Sequence, residues 1–271
     1  DSTADLGIEL SSKYRVNVVP LLVHIAEQEY QDGVDLDAPR LFELVAKAGQ
    51  LPKTAARSVG DYKQYFQTPG ENIYIGISSQ LSASIQNASL AADELSDGRV
   101  CIIDSLNLST GIGLLVLRAA QLRDQGYSVA QIKEDILSCI PRVRTSFVLE
   151  TMEYLYKGGR CSALQAVVGS LLRIRPVIEV KPDGCMGVKD KLRGTRAKAL
   201  ESMLASFEAD LPNLDRQRVF VTHANCRKDA EFLASEIRRI AAPEEVLITM
   251  AGSVISSHCG PDTIGILYLV K

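Results

Sequence analysis

Short, unbroken apolar runs alternate with helix-length segments along most of this chain, and that alternation restricts the fold more than any single motif does. Residues 15–23, 73–77, 99–103, 145–149, 176–180, 218–222, 246–250 and 263–270 are rich in Val, Ile and Leu and predict strands. Between them, residues 37–48, 84–95, 109–125, 128–139, 152–157, 162–172, 195–210 and 228–241 read as helices, and a further helix begins near Val59. Their ends are marked: Asp37 and Ser128 are N-caps, Gly49 and Gly126 are stops, and Pro141 is a break. Continuous apolar strands joined through helices are the pattern of a parallel sheet covered on both faces. The expected fold class is therefore α/β with two domains: an N-terminal parallel-sheet α/β domain over residues 1–143 and a C-terminal mixed α/β domain over residues 144–271. A length of 271 residues accommodates two domains of ~100–200 residues each.

Composition narrows the function classes. Thirty Lys and Arg face 33 Asp and Glu, a net charge of −3, which argues against a strongly basic nucleic-acid module. No apolar run approaches the ~20 residues of a membrane helix, and the chain opens on polar residues with no secretory pattern. The six cysteines include no C-x-x-C pair, and the nearest two are 22 apart. That spacing speaks against a metal cluster or a disulfide scaffold and for reduced thiols in a cytoplasmic protein.

In parallel α/β sheets ligands sit beyond the carboxyl ends of strands, and here those ends carry hydroxyls. SSQLSAS at 78–84 stands between a strand and a helix, so it is either an anion site at a helix N-terminus or a simple N-cap. TAARS at 54–58 follows Pro52-Lys53 and reads as a loop whose Thr or Ser caps the next helix. His258, in GSVISSHCGP at 252–261, is expected on a loop between two strands, as a proton donor to a ligand carboxylate or as a structural donor. His223 follows a strand, and His24 reads as a strand residue. In YLYKGGR at 154–160 the paired glycines permit close backbone approach, and Arg160 projects from the junction. The basic run of Lys189, Lys191, Arg193, Arg196 and Lys198 is either a solvated face or an anion-binding surface. There is no P-loop, dinucleotide fingerprint, nucleophile elbow or H-E-x-x-H motif. The chain offers many hydroxyl donors and no evident catalytic engine.

Taken in order, DSTADL at 1–6, VVPL at 18–21 with YQDG at 30–33, PKT at 52–54, SSQLS at 78–82, YKGGR at 156–160 and GSVISSHCGP at 252–261 resemble the motifs of the DegV family of fatty-acid-binding proteins. The resemblance spans essentially the whole chain. It implies a two-domain bacterial cytoplasmic protein, not an enzyme, that encloses one long-chain fatty acid such as palmitate in a buried tunnel between its domains. It further implies presentation of the acyl carboxylate to a separate fatty acid kinase that makes acyl phosphate. Carried over by motif, Thr54 and Ser82 hold the carboxylate, with His258 and Arg160 near the head group. No metal or cofactor is implied besides the bound lipid, and no nucleic acid or membrane segment. The resemblance also implies a first strand ahead of Asp1. The helices over residues 110–122 and 163–172 are apolar enough to wall the tunnel.

Two departures from the family pattern stand out. Its T-S-x-P-S loop reads TAARS here, which adds Arg57 close to the expected head group, and its S-G-T reads Ser82-Ala83-Ser84. Ala83 takes a positive φ less cheaply than Gly, so a different turn is expected. A different class of reading remains: a serine hydrolase or acyltransferase with Ser82 as nucleophile and His258 as base.

Overall fold

The computed structural model describes residues 1–95, 98–160 and 174–271. Eleven strands among them form three sheets. Strands β1 (Leu22–Ile25), β2 (Gln28–Gln31) and β3 (Lys53–Ala55) make a small antiparallel sheet in the order β2-β1-β3. Strands β4 (Asn72–Gly76) and β5 (Val100–Asp104) pair in parallel, Ile75 opposite Ile103. The remaining strands are β6 (Val143–Val148), β7 (Ile174–Val180), β8 (Met186–Arg193), β9 (Leu214–His223), β10 (Glu245–Met250) and β11 (Ile264–Val270). They form a six-stranded mixed sheet in the order β10-β9-β11-β6-β7-β8, parallel only between β9 and β10. The fold is thus mixed α/β.

The helices form where the sequence provides caps. The helices are α1 (Gly7–Lys13), α2 (Ala38–Ala48), α3 (Val59–Tyr65), α4 (Ser84–Leu95), α5 (Thr110–Asp124), α6 (Val129–Cys139) and α7 (Glu153–Lys157), followed beyond β8 by α8 (Arg196–Ala209), α9 (Arg227–Ala241) and α10 (Ser253–Cys259). Asp37 accepts the Arg40 N–H at 2.9 Å to start α2, and Gly49 closes it at φ +65°. Ser58 with Asp61, and Ser128 with Gln131, form capping boxes on α3 and α6. In α9, Ala230, Leu233, Ala234, Ile237 and Ala241 recur at helical spacing and bury one face.

Several expected boundaries move. The strand expected over residues 15–23 is reduced to β1, because Arg15 takes a positive φ and residues 16–21 run irregularly up to it. The β1–β2 hairpin turns on Ala26 and Glu27, both at positive φ, a two-residue geometry usually signalled by Asn or Gly. The basic run lies mostly on β8, which was not expected as a strand. Lys189, Lys191 and Arg193 are exposed there and Lys198 is exposed on α8, while Arg196 pairs with Asp229 and Glu150. The expected helix over residues 162–172 lies outside the described residues.

Two apolar cores use the two faces of the large sheet. On β11, Ile264, Ile266, Tyr268 and Val270 face a core shared with α8 and α9. Leu267 and Leu269 face the other core, which also takes Phe147 and Phe220, Ile75 and Ile103 from the parallel pair, and α5. Nine of the fifteen α5 residues are buried, on every side of the helix. Such a helix is held mainly by packing and serves as the shared centre between the sheets, with Thr110 bonded to Thr222 at 2.6 Å and Arg118 paired with Asp135 at 2.8 Å. No helix among the described residues is long and apolar enough to cross a membrane.

Leu115 is fully buried in α5. Leu115→Ala is expected to cost about 3 kcal/mol in urea denaturation. Leu137→Ala, at a side chain 48% exposed, is expected to cost less than about 0.5 kcal/mol.

Candidate ligand-binding site

A cavity of about 290 Å³ lies against the face of the six-stranded sheet that carries Thr145, Phe147, Thr222, Gly265 and Leu267. Its other walls are the loop after β4 (Ile77, Leu81, Ser82), β3 (Thr54, Ala55), α7 (Leu155) and α10 (Val254, Ile255, His258). Arg160 completes the lining. Thr54, Ser82, His258 and Arg160, which are far apart in sequence, therefore meet at one mostly apolar chamber. The helix over residues 110–122 does not wall it as expected: α5 is consumed by the core, and the sheet and α10 supply the surface instead.

His258 belongs to a helix and not to a loop as expected, and two buried carboxylates explain why the helix exists. Asp32 Oδ1 accepts the Ser253 N–H at 2.6 Å and the Ser253 hydroxyl at 2.8 Å. Asp5 Oδ1 accepts the Gly252 N–H at 2.8 Å, and its Oδ2 accepts the Ser109 hydroxyl at 2.6 Å. These acceptors satisfy the N–H groups that a helix start leaves open. Gly252 is required at the junction, since a Cβ there would lie 2.7 Å from Asp32 Oδ1. Burial raises the pKa of both carboxyls, most strongly for Asp5, whose neighbour Asp32 adds to the rise. Neither acid was singled out from the sequence, although both lie within motifs that were, DSTADL and YQDG.

At the other end of α10, His258 Nε2 is 2.8 Å from Thr54 Oγ1. The imidazole Nδ1 is buried and has no partner. It sits so close to α7 that a Cβ on Gly158 would fall 2.5 Å from it, which is why the first glycine of YKGGR must lack a side chain. Burial, and secondarily the charge of Arg160, depresses the His258 pKa from 6.5 to about 4. The ring is neutral near pH 7. An orphaned acceptor costs less than an orphaned N–H, which assigns the proton to Nε2. His258 then donates to Thr54, and the Thr54 hydroxyl proton is free for a ligand.

The serine run contributes less than expected. Ser78 donates to the Gly184 carbonyl at 2.9 Å, and the Ser79 N–H points to Asp104 at 3.3 Å. Within the run, Ser82 is the one serine that lines the cavity, with Leu81 and Ala83 beside it. Its Oγ accepts the Ser84 N–H at 3.2 Å and lies 2.8 Å from the Ser84 hydroxyl. Ala83 has no positive φ, so the replaced glycine imposes no strain. Arg57 is not at the head group: it is buried, bonded to the Pro20 carbonyl and, at 2.7 Å, to Gln31, and does not line the cavity. Ser58, not Thr54, caps the next helix.

Arg160 donates to the carbonyls of Leu81 at 3.3 Å and Gly158 at 2.8 Å, tying the serine loop to the glycine turn. It also lines an adjoining open pocket of about 330 Å³ with Gln80, Ser82 and Cys185, so the polar end of the chamber has a mouth. His223 lines the chamber and accepts the Cys226 N–H on Nδ1, whereas His24 lies on β1 beside Glu29. The hydrogen bond of His258 goes to Thr54 rather than Ser82, and no carboxylate orients its Nδ1, so a Ser–His–acid relay is not assembled. Among the described residues no cluster of His, Cys, Asp or Glu is suited to a metal ion.

The unfolded chain takes up a proton on this histidine near pH 6.5, while the folded form refuses it until about pH 4. His258 therefore makes the fold less stable as pH falls through that window. In an NMR titration the His258 imidazole is expected to stay neutral down to a midpoint near 4.

The family model described as "Uncharacterised protein, DegV family" matches residues 1–271. A DegV domain-containing protein of Clostridium acetobutylicum is 32% identical over 275 residues, covering 100% of this chain and 97% of that protein. The solved structure titled as fatty acid binding of a DegV family protein from Thermus thermophilus is 31% identical and superposes with a TM-score of 0.92, over 100% of this chain and 98% of that one. The fatty acid kinase B3 protein of Streptococcus pneumoniae, solved loaded with linoleic acid, is 25% identical with a TM-score of 0.81, over 93% and 90% of the two chains. With its motifs, fold and whole length matched, the chain belongs to the DegV family.

Proposed function

We propose that this protein is a carrier, not an enzyme, that binds one long-chain fatty acid with its carboxylate at Thr54 and Ser82. The observation that carries this reading is the convergence of Thr54, Ser82, His258 and Arg160 on one apolar chamber with a polar mouth. Burying ~14 methylenes contributes a gross ~11 kcal/mol, part of which is lost to ordering and desolvation. The carboxylate is the costly part, because a buried charge without donors is strongly disfavoured. The Thr54 hydroxyl, freed by His258, and the Ser82 hydroxyl supply donors, and Arg160 at the mouth supplies the cation. The chamber takes its lining from both the proposed N-terminal domain, residues 1–143, and the proposed C-terminal domain, residues 144–271.

The mouth beside Ser82 and Arg160 further supports presentation of the carboxylate to a fatty acid kinase for acyl phosphate formation, in keeping with the name of the Streptococcus pneumoniae relative. Such a carrier works in the bacterial cytoplasm and needs no cofactor besides its lipid.

Denaturing extraction of the purified protein followed by mass spectrometry is expected to yield one fatty acid per chain. Thr54→Val and Ser82→Ala are each expected to weaken binding roughly tenfold or more, the loss of one hydrogen bond to a charged group. An empty extract, with no uptake of palmitate or oleate on titration, would sink the proposal.

A further inference from the structure

Strand β11 is buried along its whole length and lies third of six in its sheet. Six of its seven residues are Ile, Leu, Tyr or Val, and the exception is Gly265. A glycine inside a central strand weakens it, and needs a reason such as a bulge, an unusual backbone or the close approach of another molecule. Gly265 does not take a positive φ, and the register shift on β11 lies farther on, between Tyr268 and Val270. Its open side faces the chamber, between Phe147 opposite it on β6 and Thr222 opposite it on β9, both of which also line the chamber. The floor is therefore a trough with Gly265 at its base. A Cβ there would stand 3.2 Å from the Phe147 Cβ and 3.4 Å from a Leu267 methyl, at the surface an acyl chain would touch.

We infer that Gly265 determines acyl chain length, its missing side chain leaving the trough in which methylenes of the ligand lie. This rests on the fatty-acid reading above. A competing cause for the glycine is crowding by β6, since the same Cβ would lie 3.1 Å from the Ser146 carbonyl. The two causes separate by length. Crowding lowers the stability of the empty protein and affects all ligands alike, whereas filling the trough penalises long chains selectively.

The test compares laurate, palmitate and stearate binding by the full chain and its Gly265→Ala and Gly265→Val variants, with thermal unfolding of each ligand-free protein as the folding check. Laurate affinity is expected to stay within about twofold, while palmitate and stearate lose about fourfold for each methylene displaced, more in Val than in Ala. Phe147→Leu, which lowers one wall of the same trough, is expected to shift preference toward stearate and serves if the position-265 variants do not fold. Equal losses at every length, or unchanged length preference in folded variants, overturn the inference while leaving the carrier reading intact. Wild-type protein that binds none of the three acids overturns both.

Discussion

The site depends on two buried carboxylates that hold the start of a seven-residue helix. Such a helix gains little from its own backbone bonds, and α10 offers serines and β-branched residues in place of good helix formers. Asp5 comes from the beginning of the chain, Asp32 from the loop after the first hairpin, and α10 from near the end. Their convergence on Gly252 and Ser253 fixes where the helix begins. His258 follows one and a half turns later, at the height of Thr54 on β3. The same junction binds Ser109 at the start of α5, so the central helix and the site share an anchor.

The electrostatics of the chamber follow from that placement. A charged imidazole in such surroundings would need a partner, and its buried Nδ1, packed against Gly158, has none. Neutrality resolves this and leaves His258 as a donor to Thr54 instead of a counter-ion. The positive charge nearest the cavity lining is that of Arg160, and burial already works against it, lowering its pKa. Two of its donors are used on the Leu81 and Gly158 carbonyls, which positions the guanidinium at the mouth. Hydroxyls inside and a cation at the entrance suit a ligand with a long apolar body and one anionic end.

Much of the architecture was legible because caps and periodicity are local. The start of α2 at Asp37, its end at Gly49, and the Ser128 box on α6 needed no tertiary information. Motif order likewise groups Thr54, Ser82, His258 and Arg160, which line one chamber in the fold. What escaped depended on distant partners. Residues 253–259 carry no local helix signal, because their cap is supplied by Asp5 and Asp32. The Ala26-Glu27 turn uses two positive φ angles on residues that rarely adopt them, so nothing in the sequence marked the hairpin. Arg57 reads as a head-group cation because it lies three residues from Thr54, yet it falls beyond the end of β3 and its side chain closes on Pro20 and Gln31. Four serines in one loop read as either an anion site or an N-cap, but their hydroxyls have different tasks, and Ser78 is spent fastening the 181–184 turn.

Because each wall comes from a different segment, the chamber exists only when those segments are assembled. β3 brings Thr54 through its pairing with β1, the loop after β4 brings Ser82, the glycine turn brings Arg160, and the large sheet brings the floor. The unfolded chain has no equivalent surface, so any ligand bound there adds its binding free energy to the stability of the whole fold. The converse also holds. A substitution that loosens the Asp5 or Asp32 anchor acts on the chamber from a distance, since the helix pinned there carries His258, which is bonded to Thr54.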